Sequence, residues 1–464
     1  MSEKRKADED LEERDAKKQQ LGDGGDEEKN DADAADADAA KPLVQGPEHV
    51  GALVVCGQFN WDMVGKRDNK TTTPSVPHGR TLWAPHVFGP LKGVRVRVAA
   101  SGSNAGHNVI VTEEGRCFTF GRNVKGQLGL GDEQRRDFPT VVTSLMDEKI
   151  VGAACGRHHT LFLTDRGEVY SAGDNKCGQC GVGNTNPVLT ATKVKHQGAP
   201  IVKVACGAEF SVILDCRGVV YTFGLPEYGQ LGHNTDGKYF ITSTKLGFNN
   251  ETKPKRVLVF VEKGRDNHST PVDDVEVRDV ACGTNHTVAV DSKGRVFSWG
   301  FGGYGRLGHA DTKDEMVPRR IKYFDTQTRG VKHVFAGSTY SMALTDNGNV
   351  FSWGMTKRTG EANMYPKPVQ DLCGWDVRSI GCSVTSVMVA ADESVIGWGC
   401  SPTYGELGLG DTKKSSANPT EVKTMDGLHV HAIEMGMAHT LMICRDETEQ
   451  DKANLADLPL YNIT

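Results

Sequence analysis

The sequence predicts an all-β fold: a seven-bladed β-propeller whose ring is closed by strands from both ends of the chain. Two observations carry this. A unit of two short strands and two glycine turns recurs six times at regular intervals. A seventh copy is split, with one half near each terminus. A two-stranded unit cannot bury its own apolar face, so the copies must pack against one another.

The clearest copy runs from Cys282 to Gly308. His286 to Val290 alternates around strand formers, Asp291 to Gly294 reads as a turn, and Arg295 to Trp299 is a second strand. Gly300 and then Gly305 to Gly308 break the chain again. Similar strand ends recur at Gly121, Gly173, Gly224, Gly354 and Gly399. Fourteen residues before each glycine stands an anchor: His107, His159, Phe210, His286, Tyr340 and Thr385. A Gly-x-Leu-Gly turn follows at Gly126–Gly129, Gly178–Gly181 (with Cys180 for Leu), Gly229–Gly232, Gly305–Gly308 and Gly405–Gly408, and the fifth copy lacks it.

The split copy closes the array. Met435 to Cys444 holds the Gly-x-x-His half, with His439 as anchor, and only a polar tail follows over 447–464. Leu53 to Gly65 holds the other half. A last blade that borrows strands from the start of the chain removes the free sheet edges. The propeller is thus expected over 49–446, after a disordered acidic tail over 1–48.

Composition narrows the function. Residues 1–40 carry seven Lys or Arg against fifteen Asp or Glu, while the whole chain is −6, so the propeller is near neutral. Such a balance does not favour uniform attraction to nucleic acid, and no direct sequence-specific binding is expected. No apolar run is long enough to span a bilayer, and the charged start lacks a signal-peptide pattern. Twelve scattered cysteines, several in Ala-Cys-Gly contexts, read as small buried hydrophobes in a reducing compartment, cytosolic or nuclear. Lys4, Arg5, Lys6, Lys17 and Lys18 read either as a two-part nuclear-import signal or as a solvated basic cluster.

Two intervals are long. Lys66 to Pro90 is a polar loop rich in Thr, Pro and His. A larger insertion spans about 239–279 and contains Lys253, Lys255 and Arg256, then the apolar run Val257–Val261. That run is either an extra projecting hairpin or the outer strand of its blade. Long ordered insertions on a rigid scaffold are places where partners are read.

No catalytic or metal-binding constellation survives the repeat reading. Cys177 and Cys180 form a lone Cys-x-x-Cys in the Gly-x-Leu-Gly slot, with no second pair at zinc spacing. A phosphate loop is absent, so no cofactor is expected. His107, His159, His286 and His439 occupy equivalent slots, which argues for a structural role in satisfying backbone groups where the inner strand begins. Gly156, Gly207 and Gly283, three residues earlier, supply either close approach or positive φ. Gly300, Gly354 and Gly399 close the repeats.

Cys-Gly-x-x-His-Thr, then Gly-x-Val-Phe-Ser-Trp-Gly, then Gly-x-Leu-Gly resembles the repeat of the regulator of chromosome condensation family, over about residues 50–446. Pro226–Asn234, Trp299–His309, Lys313–Arg319 and Tyr365–Trp375 are most similar to the family's second paralogue, the telophase-disc branch. The resemblance implies a propeller that binds a small GTPase of Rac, Ral or Arf type, as guanine-nucleotide exchange factor or regulator without covalent catalysis. It equally implies a non-exchanging adaptor for chromosomal passenger or centromere proteins, microtubules or adhesion complexes. It places such a protein in nucleus and cytoplasm, and on chromosomes, centromere and spindle midzone in mitosis. The residue before each anchor then lies at a rim of the propeller mouth: Gly106, His158, Glu209, Asn285, Thr339, Val384 and Ala438. Only Glu209 is acidic, in a slot where the Ran-exchanging member of the family carries an acid important for exchange. Glu209 is longer than that acid, and Phe210 replaces the histidine that follows it. The GTPase-contact candidates are Glu209, His158, Asn285, Lys253, Lys255 and Arg256.

Overall fold

The computed structural model describes residues 44–61, 64, 81–264, 266, 268–325, 330–356, 361–399 and 404–462. Residues 1–43 of the expected tail, with the import candidates Lys4, Arg5, Lys6, Lys17 and Lys18, and residues 66–80 of the loop Lys66–Pro90 lie outside them. Seven antiparallel sheets form a seven-bladed ring. In blades one to six four strands run outward in chain order, and the first strands of neighbouring blades meet around the axis. We number the blades from the one that opens at Val96.

Blade two shows the pattern. Its strands are Ile150–Cys155, His159–Thr164, Val169–Gly173 and Val188–Lys193. The second strand is buried at every position, as it is sandwiched between adjoining blades. The third strand ends on Gly173 at φ 117°. A Cβ there would lie 2.2 Å from the His158 carbonyl oxygen, so only glycine lets the two strands close up. The anchors therefore open the second strand of each blade, not the innermost one.

Blade seven is built from both ends. Val430–Met435 and His439–Cys444 come from the C-terminal side, Ala52–Gln58 and Thr81–Phe88 from the N-terminal side. Ala52–Gln58 pairs with the anchor strand from Ala52↔Cys444 to Gly57↔His439. Phe59, Trp61, Phe88, Phe120, His439 and Tyr461 pack ring on ring across the seam with blade one.

Several expectations change. The residues after 446 are not only a tail: Thr448 caps a helix at Glu449–Ala456 through a reciprocal bond with Asp451, and Leu460–Tyr461 adds a fifth, parallel strand to blade seven. Residues 44–50 belong to the folded body rather than to the tail. Val44 is buried between blades two and three, Arg97 donates to the Pro47 carbonyl at 2.8 Å, and His49 stacks on His431. Thr81–Phe88, placed in a loop by composition, is a strand held by its pairing to Ala52–Gln58. In the sixth copy the anchor is Ser386, which pairs with Gly399; Thr385 is the residue before it. That hairpin is one residue shorter, and its turn puts Asp392 at φ 46°.

The long insertion divides in two. Lys238–Thr242 and Lys245–Phe248 form a separate hairpin between the third and fourth strands of blade three. Val261–Lys263 and Ser269–Pro271 form a second hairpin, added to the outer strand of blade four through Val261↔Arg319. The outer strand of blade three is Glu251–Arg256, so the run Val257–Val261 is not that strand: residues 257–260 link to the next blade and Val261 opens the second hairpin.

Candidate functional site

The anchor histidines are buried and structural, and they do more than satisfy backbone groups. His107 Nε2 lies 2.7 Å from Thr160 Oγ1 of the next blade, and that hydroxyl donates to the Gln127 carbonyl at 2.6 Å. The hydroxyl proton is thereby committed, so His107 donates from Nε2. His159–Ser211–Gln179 and His286–Ser341–Arg306 repeat the relay, and His439 reaches Asn108 of blade one at 2.6 Å. Each links one blade's anchor to the residue after the next blade's anchor. Burial holds His107 and His439 down at about 3 and His159 at about 4, and lowers His286 well below the ordinary value. All four are neutral at physiological pH, unsuited to a titrating role. Gly156, Gly207 and Gly283 have ordinary φ and are required for space: a Cβ on Gly283 would lie 2.0 Å from His286 Cε1.

One face of the ring carries both the loops from first to second strands and the Gly-x-Leu-Gly loops, and we call it the upper face. Loop tips meet over the axis there. Ala208 N–H donates to the Thr284 carbonyl at 3.0 Å, Met437 N–H to the Ala105 carbonyl at 3.0 Å, and Thr284 Oγ1 to Asn104 Oδ1 at 3.0 Å. Thr284 and Asn104 belong to blades four and one, so the channel is crossed at this end.

Glu209 stands on this face, but not as a free rim acid. Its Oε1 lies 3.3 Å from Arg157 and 3.5 Å from Lys176, and its Oε2 accepts from Cys177 Sγ at 3.8 Å. The carboxylate is 20 % exposed, while Lys176 is 60 % exposed. His158, half-buried beside it, is lowered chiefly by burial and then by Arg157. Asn285 lies one blade on, half-buried, its carbonyl accepting from Phe301 N–H at 2.8 Å. Glu209, His158 and Asn285 are thus brought to one face. Val384 is displaced from its slot by Thr385, and Ala438 and Gly106 are buried rather than on an open rim.

Lys253, Lys255 and Arg256 are not on a projecting insertion. They lie on the outer strand of blade three, where Lys255 is ion-paired with Glu251. What projects is the hairpin Lys238–Phe248, and it leaves the same face of the same blade as Glu209. It exposes Tyr239, Phe240, Ile241 and Leu246, with Phe240 74 % exposed. A two-stranded hairpin gains little from leaving such side chains in water, and exposed apolar clusters mark interaction sites. The signal for it in the sequence is Asp236-Gly237, then Tyr-Phe-Ile, then the turn formers Thr242-Ser-Thr244.

Cys177, beside Glu209, and Cys180 are not activated. Burial pushes the Cys177 thiol up to about 12 and raises that of Cys180, so neither is a ready nucleophile. Among the described residues no group of three or more His, Cys, Asp or Glu could hold a metal ion. No helix among them is long and apolar enough to cross a membrane.

Comparison with known proteins agrees with this architecture. The family model described as RCC1-like domain matches residues 52–442. Protein RCC2 homolog of Xenopus laevis is 51% identical over 425 residues, covering 91% of this chain and 83% of that protein. Protein RCC2 of Homo sapiens is 49% identical over 454 residues, covering 95% and 87%. Among solved structures, Prp20p from Saccharomyces cerevisiae, described with its binding properties to Gsp1p and histones, superposes with a TM-score of 0.68 at 18% identity, covering 89% of this chain and 96% of that one. Human WBSCR16 gives the same TM-score at 23% identity, covering 86% and 100%.

Proposed function

Because the chain belongs to the RCC1-like domain family, we propose that it is an interaction propeller that grips a small GTPase by its upper face and regulates that GTPase's nucleotide state. The observation that carries this reading is the placement of the apolar hairpin Lys238–Phe248 and the Glu209 cluster on one face of blade three. A rigid ring presents them at fixed separation, which suits a globular partner of which one part is pressed and another is met by charge. No covalent step is needed: a partner held more tightly without nucleotide than with it loses nucleotide by population shift. The resemblance of sequence favours a GTPase of Rac, Ral or Arf type. The yeast neighbour's described binding to Gsp1p and histones supports a GTPase and chromosomal partners in general terms. Work on mitotic chromosomes, centromere and spindle belongs to the same reading, as does residence in nucleus and cytoplasm.

One observation favours the adaptor instead. Glu209 is already matched by Arg157 and Lys176, so it must give up both contacts before it competes with phosphate for a GTPase lysine or magnesium. Labelled-nucleotide release from purified Rac, Ral, Arf and Ran, with and without the protein, decides between the two. Accelerated release from one of them supports exchange. Binding with release at the intrinsic rate supports a scaffold that docks the GTPase without exchanging it. Absence of binding to all four removes the GTPase reading.

A further inference from the structure

The channel side of the ring holds a charged group that the upper face does not use. Glu434 stands on the innermost strand of blade seven, paired in register with Leu441. At the same register the other six blades place Ala100, Ala154, Ala205, Ala281, Phe335 and Gly381. Five of these six are alanine or glycine, so the shaft is wide where Glu434 enters it. Its carboxylate is exposed to this space, yet no ammonium or guanidinium lies within ion-pair distance of it among the described residues.

The space is a cavity of about 420 Å³. Its apolar walls include Val98, Val151, Val202 and Val204 beside small residues such as Ala100 and Gly152, with the folded segment Val44–Pro47 along one side. Two charged groups line it, Glu434 and Lys203. Lys203 is already engaged: its ammonium is bonded to Asp279, which also accepts from His333 Nδ1 at 3.2 Å. Glu434 is therefore the unsatisfied member of the set. The loop tips cross the axis at the upper face, so the cavity is entered from below. A blind recess with valine walls and a single unpaired carboxylate matches an aliphatic stem that carries a positive head.

We propose that this recess is a docking site for one lysine side chain of a partner protein, received from the lower face, with the ammonium on Glu434 and the methylenes along Val98, Val151 and Val202. Such a contact leaves the upper face free, so the propeller could hold two partners at once. Although its side chain meets the recess, enclosure by the surrounding ring raises the Glu434 carboxyl to about 7, with only Lys203 opposing. An arriving ammonium would draw it back to the charged form, as an opposite charge at contact distance does.

The test uses the full chain at pH 8 and three probes: butylammonium, 1-butanol, and the blocked peptide Ala-Ala-Lys-Ala-Ala. Saturation-transfer NMR reads contact with the protein. The expected result is transfer to the lysine methylenes of the peptide and to butylammonium. Both should fall at least threefold in Glu434→Gln and in high salt, while the 1-butanol signal is the same in both proteins. Glu434→Gln removes a charge from a confined site and keeps the shape, so an unchanged melting profile certifies that the variant is folded. Glu434→Ala serves as a second variant if the first melts differently. Equal transfer in wild type and variant, or none in the wild type, overturns the proposal. Binding of butylammonium without the peptide overturns the protein partner and leaves a small-amine site.

Discussion

Glu406 offers the sharpest test of how the ring is held. It occupies the x position of Gly405-x-Leu-Gly408, where blades one to three carry Gln127, Gln179 and Gln230. In those blades the glutamine Oε1 accepts a backbone N–H two residues earlier, at 2.9, 2.9 and 2.7 Å. Glu406 accepts the same bond from Tyr404 N–H at 3.2 Å and a second from Ser386 Oγ at 3.2 Å. It is 4 % exposed and has no cationic partner among the described residues, and burial raises its carboxyl from 4.5 to about 7. In the unfolded chain the group ionises near its ordinary value. Between about 4.5 and 7 the folded state therefore binds more protons, and its stability falls as pH rises. Each tenfold in proton affinity is about 1.4 kcal/mol, so the loss approaches 3 kcal/mol above pH 7. Glu406→Gln keeps the Tyr404 bond, and its new amide can donate to Ser386. The variant should match wild type in urea unfolding at pH 5 and exceed it by about 1–3 kcal/mol at pH 8.5. Glu434 titrates in the same range, so the difference between the two proteins, not the wild-type profile, is the readout. A variant with the same pH dependence as wild type, or one weaker at both pH values, would refute the reasoning.

Three further outcomes follow from the contacts. Phe240→Asp on the exposed hairpin should weaken capture of the GTPase at least tenfold while shifting the melting temperature by less than a degree or two, because surface positions of this kind contribute within about 0.5 kcal/mol; a pull-down paired with a melting curve checks both. Gly283→Ala should destabilise by about 2 kcal/mol or more, since a Cβ at 2.0 Å from His286 Cε1 displaces the anchor ring, and urea titration would show it. Removing residues 1–43 should leave melting unchanged, removing 1–50 should cost about 1–3 kcal/mol through loss of Val44 and its neighbours, and removing 1–58 should aggregate because the anchor strand of blade seven loses its outer partner and becomes a free edge. Equal melting and solubility for all three truncations would contradict the split blade.

The ring was readable because a strand, a turn and a strand impose a fixed count between anchor and glycine. Ala52–Gln58 and His439–Cys444 could be matched for the same reason: each half lacked what the other supplied. The sixth copy shows where counting stops. Thr385 and Ser386 are adjacent hydroxyl residues, and only the pairing of Ser386 with Gly399 separates them. Residues 44–50 carry no periodic signal, because Val44 and His49 are fixed by blades far away in sequence. The Glu209 cluster was half legible. Its position on the rim follows from the repeat, but Arg157 and Lys176 reach it from the loops of the neighbouring blade, and no local pattern records that. Val257–Val261 has the stronger apolar alternation, yet residues 257–260 become a link and Val261 only opens the next hairpin, because Glu251–Arg256 takes the pairing positions beside the third strand. Arg306 has a visible consequence of its own. Lacking the acceptor that glutamine provides, it leaves its loop in another shape, with Tyr304 at φ 63°.

The closure of blade seven also sets a schedule for biosynthesis. Ala52–Gln58 leaves the ribosome first among the strands, but His439–Cys444, its partner, is made roughly 390 residues later. At about 5–20 residues per second the early strand waits some 20–80 s for it. Blades one to six can dock in order meanwhile, each on its predecessor. Throughout that interval the apolar strand containing Val54, Val55 and Cys56 can pair with Thr81–Phe88 on one edge only, its other edge stays open, and the first blade presents an open side to the cell. Slow synthesis of the last 30 residues would therefore prolong the one stage at which this chain is most exposed to chaperones and to misassembly with another copy of itself.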